Sequence, residues 1–282
     1  MAQFTRLDEN PGANTYFYPD GQPLGVGTMR KNPEYAATLR AVAAEGPSAF
    51  YAGPVAEAIV AAAQAEPLGG SLSLEDIAAY TVTKRSAVCV PALDHTICSS
   101  PPPGSGGVAL GQFIQFQAQN ASPDDDEATR WAKHARALQL AYADRDHYVA
   151  DADFVTVPVK DLIDPRYITA RLAADTDMTR EAQPGDPGAA LHGTPYIDMW
   201  GQDPTNDAPG TTHLSIVDIY GNAVSMTMTV EAPFGSSRWA AGFLLNNELT
   251  DFSFVPTKAG KPVANAVAPG KRPRSSMSPS LV

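Results

Sequence analysis

The segment from Thr211 to Val230 constrains the fold most strongly, because it alternates polar and apolar residues on both sides of a single turn. Asp218-Ile219-Tyr220-Gly221-Asn222 has the composition of a turn, with Gly221 available for a left-handed conformation. The pattern predicts an antiparallel hairpin centred on Tyr220. One face of the hairpin is polar, and we expect the opposite, apolar face to pack in a core.

In this register Thr211 lies directly opposite Thr229. Directly opposed residues have Cβ atoms about 4.5–5.5 Å apart, so the two hydroxyl groups can touch. A bulge at Gly221 is the alternative, and it would shift the register by one residue. Threonine is also common on the solvated side of antiparallel sheets, so the hairpin alone does not establish a functional site.

Thr211 follows a stretch rich in Gly, Pro, Asp and Thr, from about Asp175 to Gly210, which predicts a linker. If the backbone is cut between Gly210 and Thr211, the threonine gains a free α-amine beside its hydroxyl group. That amine can act as the base for the hydroxyl nucleophile. The arrangement is typical of self-cleaving enzymes that act on amide bonds.

Charge and hydropathy exclude several partners. The formal net charge is −11 over 282 residues, so no basic stripe is available for nucleic acid or for an anionic membrane. Small or cationic substrates fit this charge better. No apolar run approaches the roughly 20 residues that span a bilayer, and Met1–Arg6 lacks the apolar centre of a signal peptide.

The remaining pattern combines helices with short strands, which predicts an α/β (α+β) fold. Apolar periodicity and capping residues predict helices from Asn32 to Gly46, Pro54 to Ala65, Ser73 to about Tyr80 and Val108 to Gln119. A long helix is predicted after an acidic loop at Asp124–Glu127 and runs to about Tyr148. Strands are predicted at Ser86–Val90, His95–Ser99 and Gly242–Leu245. In the longest helix, Trp131, Ala135, Leu138 and Tyr142 share one face.

Cys89 and Cys98 flank a turn at Ala92-Leu93-Asp94. The spacing allows a disulfide, but two half-buried thiols are the favoured interpretation. Neither cysteine has metal-ligand spacing with a histidine, so we expect no metal, and no cofactor motif is recognised. The Pro101–Gly107 segment is weak as a phosphate cradle and is interpreted as a structural turn.

The chain resembles the γ-glutamyltranspeptidases, a family of N-terminal-nucleophile hydrolases, through many short motifs in the family's order. These motifs are Asn32–Arg40, Ala49–Gly53, Pro101–Gly107, Ala141–Arg145, Thr211–His213, Leu244–Glu248 and Lys271–Pro279.

The resemblance implies an αββα four-layer sandwich, in which helices cover two stacked sheets. It also implies a precursor that cuts itself at Gly210-Thr211 into two subunits that stay together. Residues 1–210 would belong to the large subunit and residues 211–282 to the small one. Thr211 would be the nucleophile, and Thr229 would hydrogen-bond its hydroxyl group. The implied substrates are γ-glutamyl compounds such as glutathione, with an amino acid or peptide as acceptor.

The same resemblance assigns the substrate contacts. Glu248 and Asp251 match positions that bind the α-ammonium group, and Ser275 and Ser276 match the pair that binds the α-carboxylate. Glu231 stands where the best-known members carry asparagine. A third acid strengthens binding of a cation and repels a carboxylate, which bears on specificity for glutathione.

The chain differs from the family pattern in two further features, the lid and the extent of the chain. The segment Val255–Pro262, where many members carry a lid, is short and leaves the pocket open to larger acceptors. The family's carboxylate-binding arginine is expected before Met1, and the glycine pair of its oxyanion hole beyond Val282. We therefore expect this chain to be a fragment and, alone, a poor catalyst.

Two alternatives stay open. The first is an acylase of the same fold that acts on glutaryl or poly-γ-glutamyl amides, and Glu231 and the short lid keep this alternative open. The second is an unprocessed, non-catalytic homologue that serves as a binding protein.

Overall fold

The computed structural model describes residues 7–92, 94–205 and 210–282. The predictions made for Met1–Arg6, for Leu93 in the turn and for linker residues 206–209 lie outside the described residues. The described residues form helices and short antiparallel sheets, so the α+β prediction is confirmed.

The elements follow one another along the chain in this order: α1 (Pro11–Phe17), α2 (Pro33–Glu45), α3 (Ser48–Tyr51), α4 (Gly53–Gln64), α5 (Leu74–Ala79), β1 (Val88–Ala92), β2 (His95–Ser99), α6 (Gly106–Asn120), α7 (Glu127–Tyr148), α8 (Val159–Leu162), α9 (Pro165–Ala174), α10 (Pro187–His192), β3 (Thr211–Val217), β4 (Ala223–Thr229), β5 (Trp239–Ala240), β6 (Phe243–Leu244), β7 (Thr257–Lys258), β8 (Lys261–Pro262) and β9 (Ser280–Leu281). Short 3₁₀ turns lie at Pro19–Gly21 and Glu248–Asp251.

The described residues group into two compact units. Unit one comprises residues 7–84, 210–211 and 229–248, and unit two comprises 85–92, 94–205, 212–228 and 249–282. These units differ from the division at Gly210-Thr211, which concerns cleavage and stays a prediction.

Side-chain caps begin several helices where the sequence predicted them. Asn32 accepts a hydrogen bond from the backbone N–H of Tyr35 at 2.9 Å at the start of α2. Ser73 and Asp76 form a reciprocal capping box at the start of α5. Asp126, in the acidic run, caps α7 through the N–H of Thr129 at 2.7 Å. Each cap satisfies a backbone donor that the first helical turn leaves unpaired.

The core of unit one joins α4 and α5 to the β5–β6 pair. Its buried members are Val55, Ala56, Ile59, Ile77 and Ala240. The turn between β5 and β6 contacts α2, because Thr38 donates to the carbonyl of Ala241 at 2.8 Å. Gly242 has φ +91° at this contact, and a Cβ there would lie 2.1 Å from the backbone nitrogen of Tyr35. Glycine is therefore required at this position.

The core of unit two is formed largely by α6, α7 and α9. The predicted stripe of α7 faces outward, since Trp131 is 64 % exposed and Tyr142 is 43 % exposed. The buried face instead carries Ala137, Leu140 and Ala141. The prediction missed this face because α7 also buries the polar side chain of Asp144, which breaks the apolar period.

The interpretation of Cys89 and Cys98 as free thiols is wrong. The two residues are directly opposed in the antiparallel pair β1–β2, and they form a disulfide with a Cα–Cα distance of 4.0 Å. Strand β9 pairs with the other side of β2, so the sheet has the order β1-β2-β9. The disulfide therefore joins the two strands that precede α6.

The β3–β4 hairpin has the predicted register. The N–H of Asp218 donates to the carbonyl of Asn222 at 3.0 Å, and His213 Nδ1 lies 2.8 Å from Thr227 Oγ1 across the strands. Gly221 has φ +83°, as the turn requires. The same register sets Thr211 opposite Thr229.

The expectation that the apolar face of this hairpin packs in a core is wrong for the described chain. Ile216 is 55 % exposed, and Val224, Met226 and Met228 are each more than 40 % exposed. Nothing within the described residues covers these side chains enough to bury them.

The predicted linker and lid both contain regular structure. Helix α10 lies inside the linker, capped by Asp186 through the N–H of Ala189 at 2.9 Å and ended by Gly193. The lid segment folds into the β7–β8 pair, and Lys261 forms an ion pair with Asp198. Among the described residues, no helix combines the length and apolarity needed to cross a bilayer.

Candidate active site

The hydroxyl group of Thr229 contacts the carbonyl of the predicted cleavage bond. Its Oγ1 donates to the carbonyl oxygen of Gly210 at 3.1 Å and accepts from the backbone N–H of Glu231 at 2.8 Å. Thr229 is half-buried, whereas Thr211 is exposed. A hydrogen-bond donor on a carbonyl oxygen withdraws electron density from the carbonyl carbon, so this contact favours attack on the bond that follows Gly210.

The backbone of Gly210 approaches the backbone of Glu231 very closely. A Cβ at Gly210 would lie 2.0 Å from the carbonyl oxygen of Glu231. Only glycine fits this spacing without displacing one of the two segments. The close approach therefore explains why glycine precedes Thr211, independently of any turn conformation.

The carboxylate of Glu231 is buried and held by Asn247. The side-chain amide of Asn247 donates to Glu231 Oε2, and its Oδ1 accepts from the N–H of Ala232 at 2.9 Å. Glu231 itself has φ +71°, a left-handed conformation that is uncommon outside glycine. Sequence reasoning missed Asn247, although it lies within a family motif directly before Glu248.

A cleft of about 360 Å³ lies beside Thr229 in unit one. Its walls are mainly apolar and aromatic, with Phe50, Tyr51, Tyr80 and Phe243 among them. Thr229 and Asn246 supply polar groups to the lining. The cleft therefore offers space for an apolar group next to Thr229.

The remaining predicted residues lie on two loops and a short turn. Glu248 begins the 3₁₀ turn and belongs to unit one, whereas Asp251 ends the turn and belongs to unit two with Ser275 and Ser276. Glu248, Asp251 and Ser275 are half-buried, and Ser276 is exposed.

The strand-like segment that carries Ser275 is held by the Pro101–Gly107 turn. The carbonyl of Ser275 accepts from both the N–H and the hydroxyl group of Ser105 at 2.8 Å, and its N–H donates to the carbonyl of Pro103 at 3.0 Å. Ser99 adds a hydrogen bond to the carbonyl of Pro279 at 2.9 Å. The triple-proline turn therefore acts as a support for the serine segment, which agrees with its interpretation as structural.

Arg274, directly before Ser275 in the chain, belongs to a cluster of charged side chains. Arg274 is 2 % exposed, and its guanidinium lies 3.1 Å from Asp203 Oδ2 and 3.4 Å from Asp146 Oδ1. Burial alone would raise the pKa of Asp203, but Arg274 and the hydrogen bonds from Thr205 and Asn265 bring the pKa below its ordinary value. Sequence reasoning did not identify Asp203 or Asn265, because neither lies in a recognised site motif.

The described residues contain no group of three or more His, Cys, Asp or Glu side chains that could hold a metal ion. The groups present at Thr211 and Thr229 are hydroxyl groups and backbone donors, which suit nucleophilic chemistry.

Comparison with known proteins supports the resemblance to the γ-glutamyltranspeptidases. The family model for gamma-glutamyltranspeptidase matches residues 1–282. The chain is 33 % identical over 277 residues to the glutathione hydrolase proenzyme of Bacillus subtilis (strain 168), covering 96 % of this chain and 46 % of that protein. It is 34 % identical over 290 residues to the glutathione hydrolase proenzyme of Escherichia coli (strain K12), covering 98 % of this chain and 47 % of that protein. The chain thus spans about half the length of these relatives.

A solved structure shares the fold. The crystal structure of cephalosporin acylase from Bacillus halodurans matches with a TM-score of 0.77 and 25 % identity, over 95 % of this chain and 44 % of that one. This similarity confirms the prediction of a fold of the N-terminal-nucleophile hydrolase type. The chain belongs to the gamma-glutamyltranspeptidase family.

Proposed function

We propose that this chain carries the self-cleavage site and the nucleophile of a γ-glutamyl transferase and hydrolase, with Thr211 as the attacking residue. The observation that carries the proposal is the hydrogen bond from Thr229 Oγ1 to the carbonyl oxygen of Gly210. Thr229 lies opposite the nucleophile and donates to the carbonyl oxygen of the bond to be cut. A donor at this position stabilises the negative charge that develops on the oxygen during attack.

Self-cleavage proceeds by attack of Thr211 Oγ1 on the carbonyl carbon of Gly210. The C–N bond breaks, an ester forms between Gly210 and the Thr211 hydroxyl oxygen, and the proton of the hydroxyl group passes to the released amine. Water then hydrolyses the ester. The products are a new carboxyl end at Gly210 and a free α-amine on Thr211. That amine, with a reference pKa of about 7.7–8.0, is suited to act as a base near neutral pH.

In turnover, the same hydroxyl group attacks the γ-amide of a substrate such as glutathione. An ester between the γ-glutamyl group and Thr211 forms and the amine leaves with the hydroxyl proton. Water or the amine of an amino acid or peptide then resolves the ester. Glu231, Glu248 and Asp251 would bind the α-ammonium group, and Ser275 and Ser276 would bind the α-carboxylate.

Cleavage of the full-length protein tests the proposal directly. We expect two fragments on a denaturing gel, with masses that place the cut at Gly210-Thr211, and we expect one intact chain for Thr211→Ala. Thr212→Ala is the matched control, because it removes the neighbouring hydroxyl group and should leave cleavage intact. A single uncut chain in the wild type would contradict the proposal and support the alternative of a non-catalytic binding protein.

A second candidate is an acylase that acts on another side-chain amide, which the similarity to a cephalosporin acylase favours. Release of a chromogenic amine from γ-glutamyl and from glutaryl amides separates the two. The γ-glutamyl compound has an α-ammonium group and the glutaryl compound lacks it. Faster release from the γ-glutamyl amide supports transferase and hydrolase activity, whereas release from the glutaryl amide without γ-glutamyl turnover supports the acylase.

A further inference from the structure

Asn265 connects three segments of unit two through one side chain. It is 1 % exposed. Its Nδ2 donates to the carbonyl oxygen of Asp251 at 2.8 Å and to Asp203 Oδ2 at 3.0 Å. Its Oδ1 accepts from the backbone N–H of Arg274 at 2.9 Å. Both donors and one acceptor position of the amide are therefore used, as a buried amide requires.

Asp203 holds the amide of Asn265 in this orientation. Its side chain is fully buried. One carboxylate oxygen accepts from Asn265 and lies 3.1 Å from the Arg274 guanidinium. The other oxygen accepts from the N–H and the hydroxyl group of Thr205, at 3.0 and 2.7 Å. A buried carboxylate with this set of partners leaves Asn265 only one favourable rotation.

The partners of Asn265 are the backbone groups of two residues that lie at or beside predicted substrate contacts. One is the carbonyl of Asp251, whose side chain is assigned to the α-ammonium group. The other is the N–H of Arg274, directly before Ser275 and Ser276. The backbone of Asn265 adds a third link, since its carbonyl accepts from the N–H of Ser253 at 3.0 Å. One planar amide therefore determines how far apart these two segments lie.

We propose that Asn265, oriented by Asp203, is a positioning residue that sets the separation between Asp251 and the Ser275-Ser276 pair for an α-amino acid head group. This inference rests on the proposed function, because it assumes that the site binds a γ-glutamyl substrate. Asn265 does not touch the substrate. It acts through the backbone of the residues that do.

The test measures the KM and kcat of the full-length protein with a γ-glutamyl amide and with the matching glutaryl amide. In Asn265→Ala we expect the KM for the γ-glutamyl amide to rise about 10-fold or more, because three buried hydrogen bonds are lost, one of them to a carboxylate. We expect kcat to change less than about 3-fold, because the hydroxyl nucleophile is untouched. The glutaryl amide engages only the carboxylate end, so its KM should change less.

A purely structural role for Asn265 gives a different result. It would lower the amount of folded enzyme and reduce the rate with both substrates equally. Gln115→Ala is the matched control, because this buried glutamine of unit two donates to the carbonyl of Ile163 at 2.8 Å and should leave both KM values unchanged. An equal KM for the γ-glutamyl amide in Asn265→Ala and wild type, or an equal rise for both substrates, would overturn the inference.

Asn265→Asp provides a variant of the same shape in case Asn265→Ala does not fold. It places a carboxylate against Asp203 and should also raise the KM for the γ-glutamyl amide. Adding Asp203→Asn exchanges the amide and carboxylate across the pair and should recover part of the loss. A double variant no better than Asn265→Asp would overturn the role of Asp203. Absence of γ-glutamyl turnover already in the wild type would instead identify failure of the proposed function.

Discussion

At the scale of single residues, the proposed self-cleavage rests on the hydroxyl group of Thr229. It accepts from the N–H of Glu231, and this contact directs its own proton toward the carbonyl of Gly210. The donor is in place before any reaction occurs, so it needs no reorganisation as negative charge develops on that oxygen. The left-handed backbone of Glu231 contributes by turning the chain directly after β4.

Replacement of Thr229 tests this contact. Thr229→Ala should slow the appearance of the two fragments by about 100-fold, the typical cost of removing one donor from a developing oxyanion. Thr229→Ser keeps the hydroxyl group and should cleave at a rate close to that of the wild type. The measurement is a time course of cleavage on denaturing gels, and an Ala variant that cleaves as fast as the Ser variant would contradict the role.

Gly210→Ala tests the close approach to Glu231. In a Thr211→Ala background, which prevents cleavage, the added methyl group must displace one backbone segment and should cost about 1–3 kcal/mol of unfolding free energy. Gly25→Ala is the control, because among the described residues the atom nearest to a Cβ at that position is Thr28 Oγ1, at 3.8 Å. Thermal melting compares the two, and an equal melting temperature would show that the segments separate freely.

At the scale of elements, the disulfide between β1 and β2 stabilises the sheet to which the C-terminal strand β9 adds. Cys98 is opposite Cys89 on one side and Leu281 on the other. The closed loop is short, with a sequence separation of 9. A loop of this length restricts the unfolded chain enough to contribute about 2–3 kcal/mol.

Reduction of this disulfide should therefore lower the stability of the protein by about 2–3 kcal/mol. The measurement is denaturant unfolding with and without a thiol reductant. In a variant with Cys89→Ser and Cys98→Ser the reductant should have no effect, since no bond remains to be reduced. If the reductant changes the wild type and this variant equally, its effect does not come from the disulfide.

The hairpin β3–β4 and helix α7 show that a sequence pattern does not predict which face of an element is buried. In both, the sequence pattern correctly groups residues on a face, because the periods of strands and helices are local properties. The apolar face of the hairpin was expected to be buried and is exposed, and the face of α7 recognised in the sequence is exposed as well. Which face is covered depends on what packs against it, and a period carries no information about that.

At the scale of the whole molecule, the buried imidazole of His147 links stability to pH. His147 is 3 % exposed. Burial lowers its pKa below the ordinary value of 6.5, and the backbone of Ile197 and the carboxylate of Asp144 oppose this only in part. The unfolded chain therefore binds a proton at a higher pH than the folded chain does. Stability from this group is complete above pH 6.5 and decreases as the pH falls from 6.5 toward the folded pKa.

We expect the unfolding free energy of the wild type to fall in this window with a slope of up to about 1.4 kcal/mol per pH unit from His147. His147→Gln should remove this part of the slope, because glutamine does not titrate. Gln115→Ala removes a buried side chain that does not titrate and should leave the slope unchanged. Denaturant unfolding at several pH values between 5 and about 7.5 measures the slopes, and equal slopes in wild type and His147→Gln would contradict the assignment.

The sequence by itself determined the local structure and the family. Caps at Asn32 and Ser73 marked where helices begin, and the turn at Asp218–Asn222 determined the register that sets Thr211 opposite Thr229. These features depend on hydrogen bonds between residues two to four positions apart, so they can be predicted from the local sequence. The motif order was enough to indicate the gamma-glutamyltranspeptidase family.

Only the tertiary structure decided how those local pieces are joined. Asn265 reaches Asp203 over 62 positions and Asp251 over 14, and the disulfide forms because β1 and β2 bring two cysteines into opposed positions. The hydrogen bond of Thr229 to Gly210 spans 19 positions and requires the hairpin to close first. Contacts between residues far apart in the sequence depend on how the folded segments pack against each other. A single sequence does not show which distant residues come into contact.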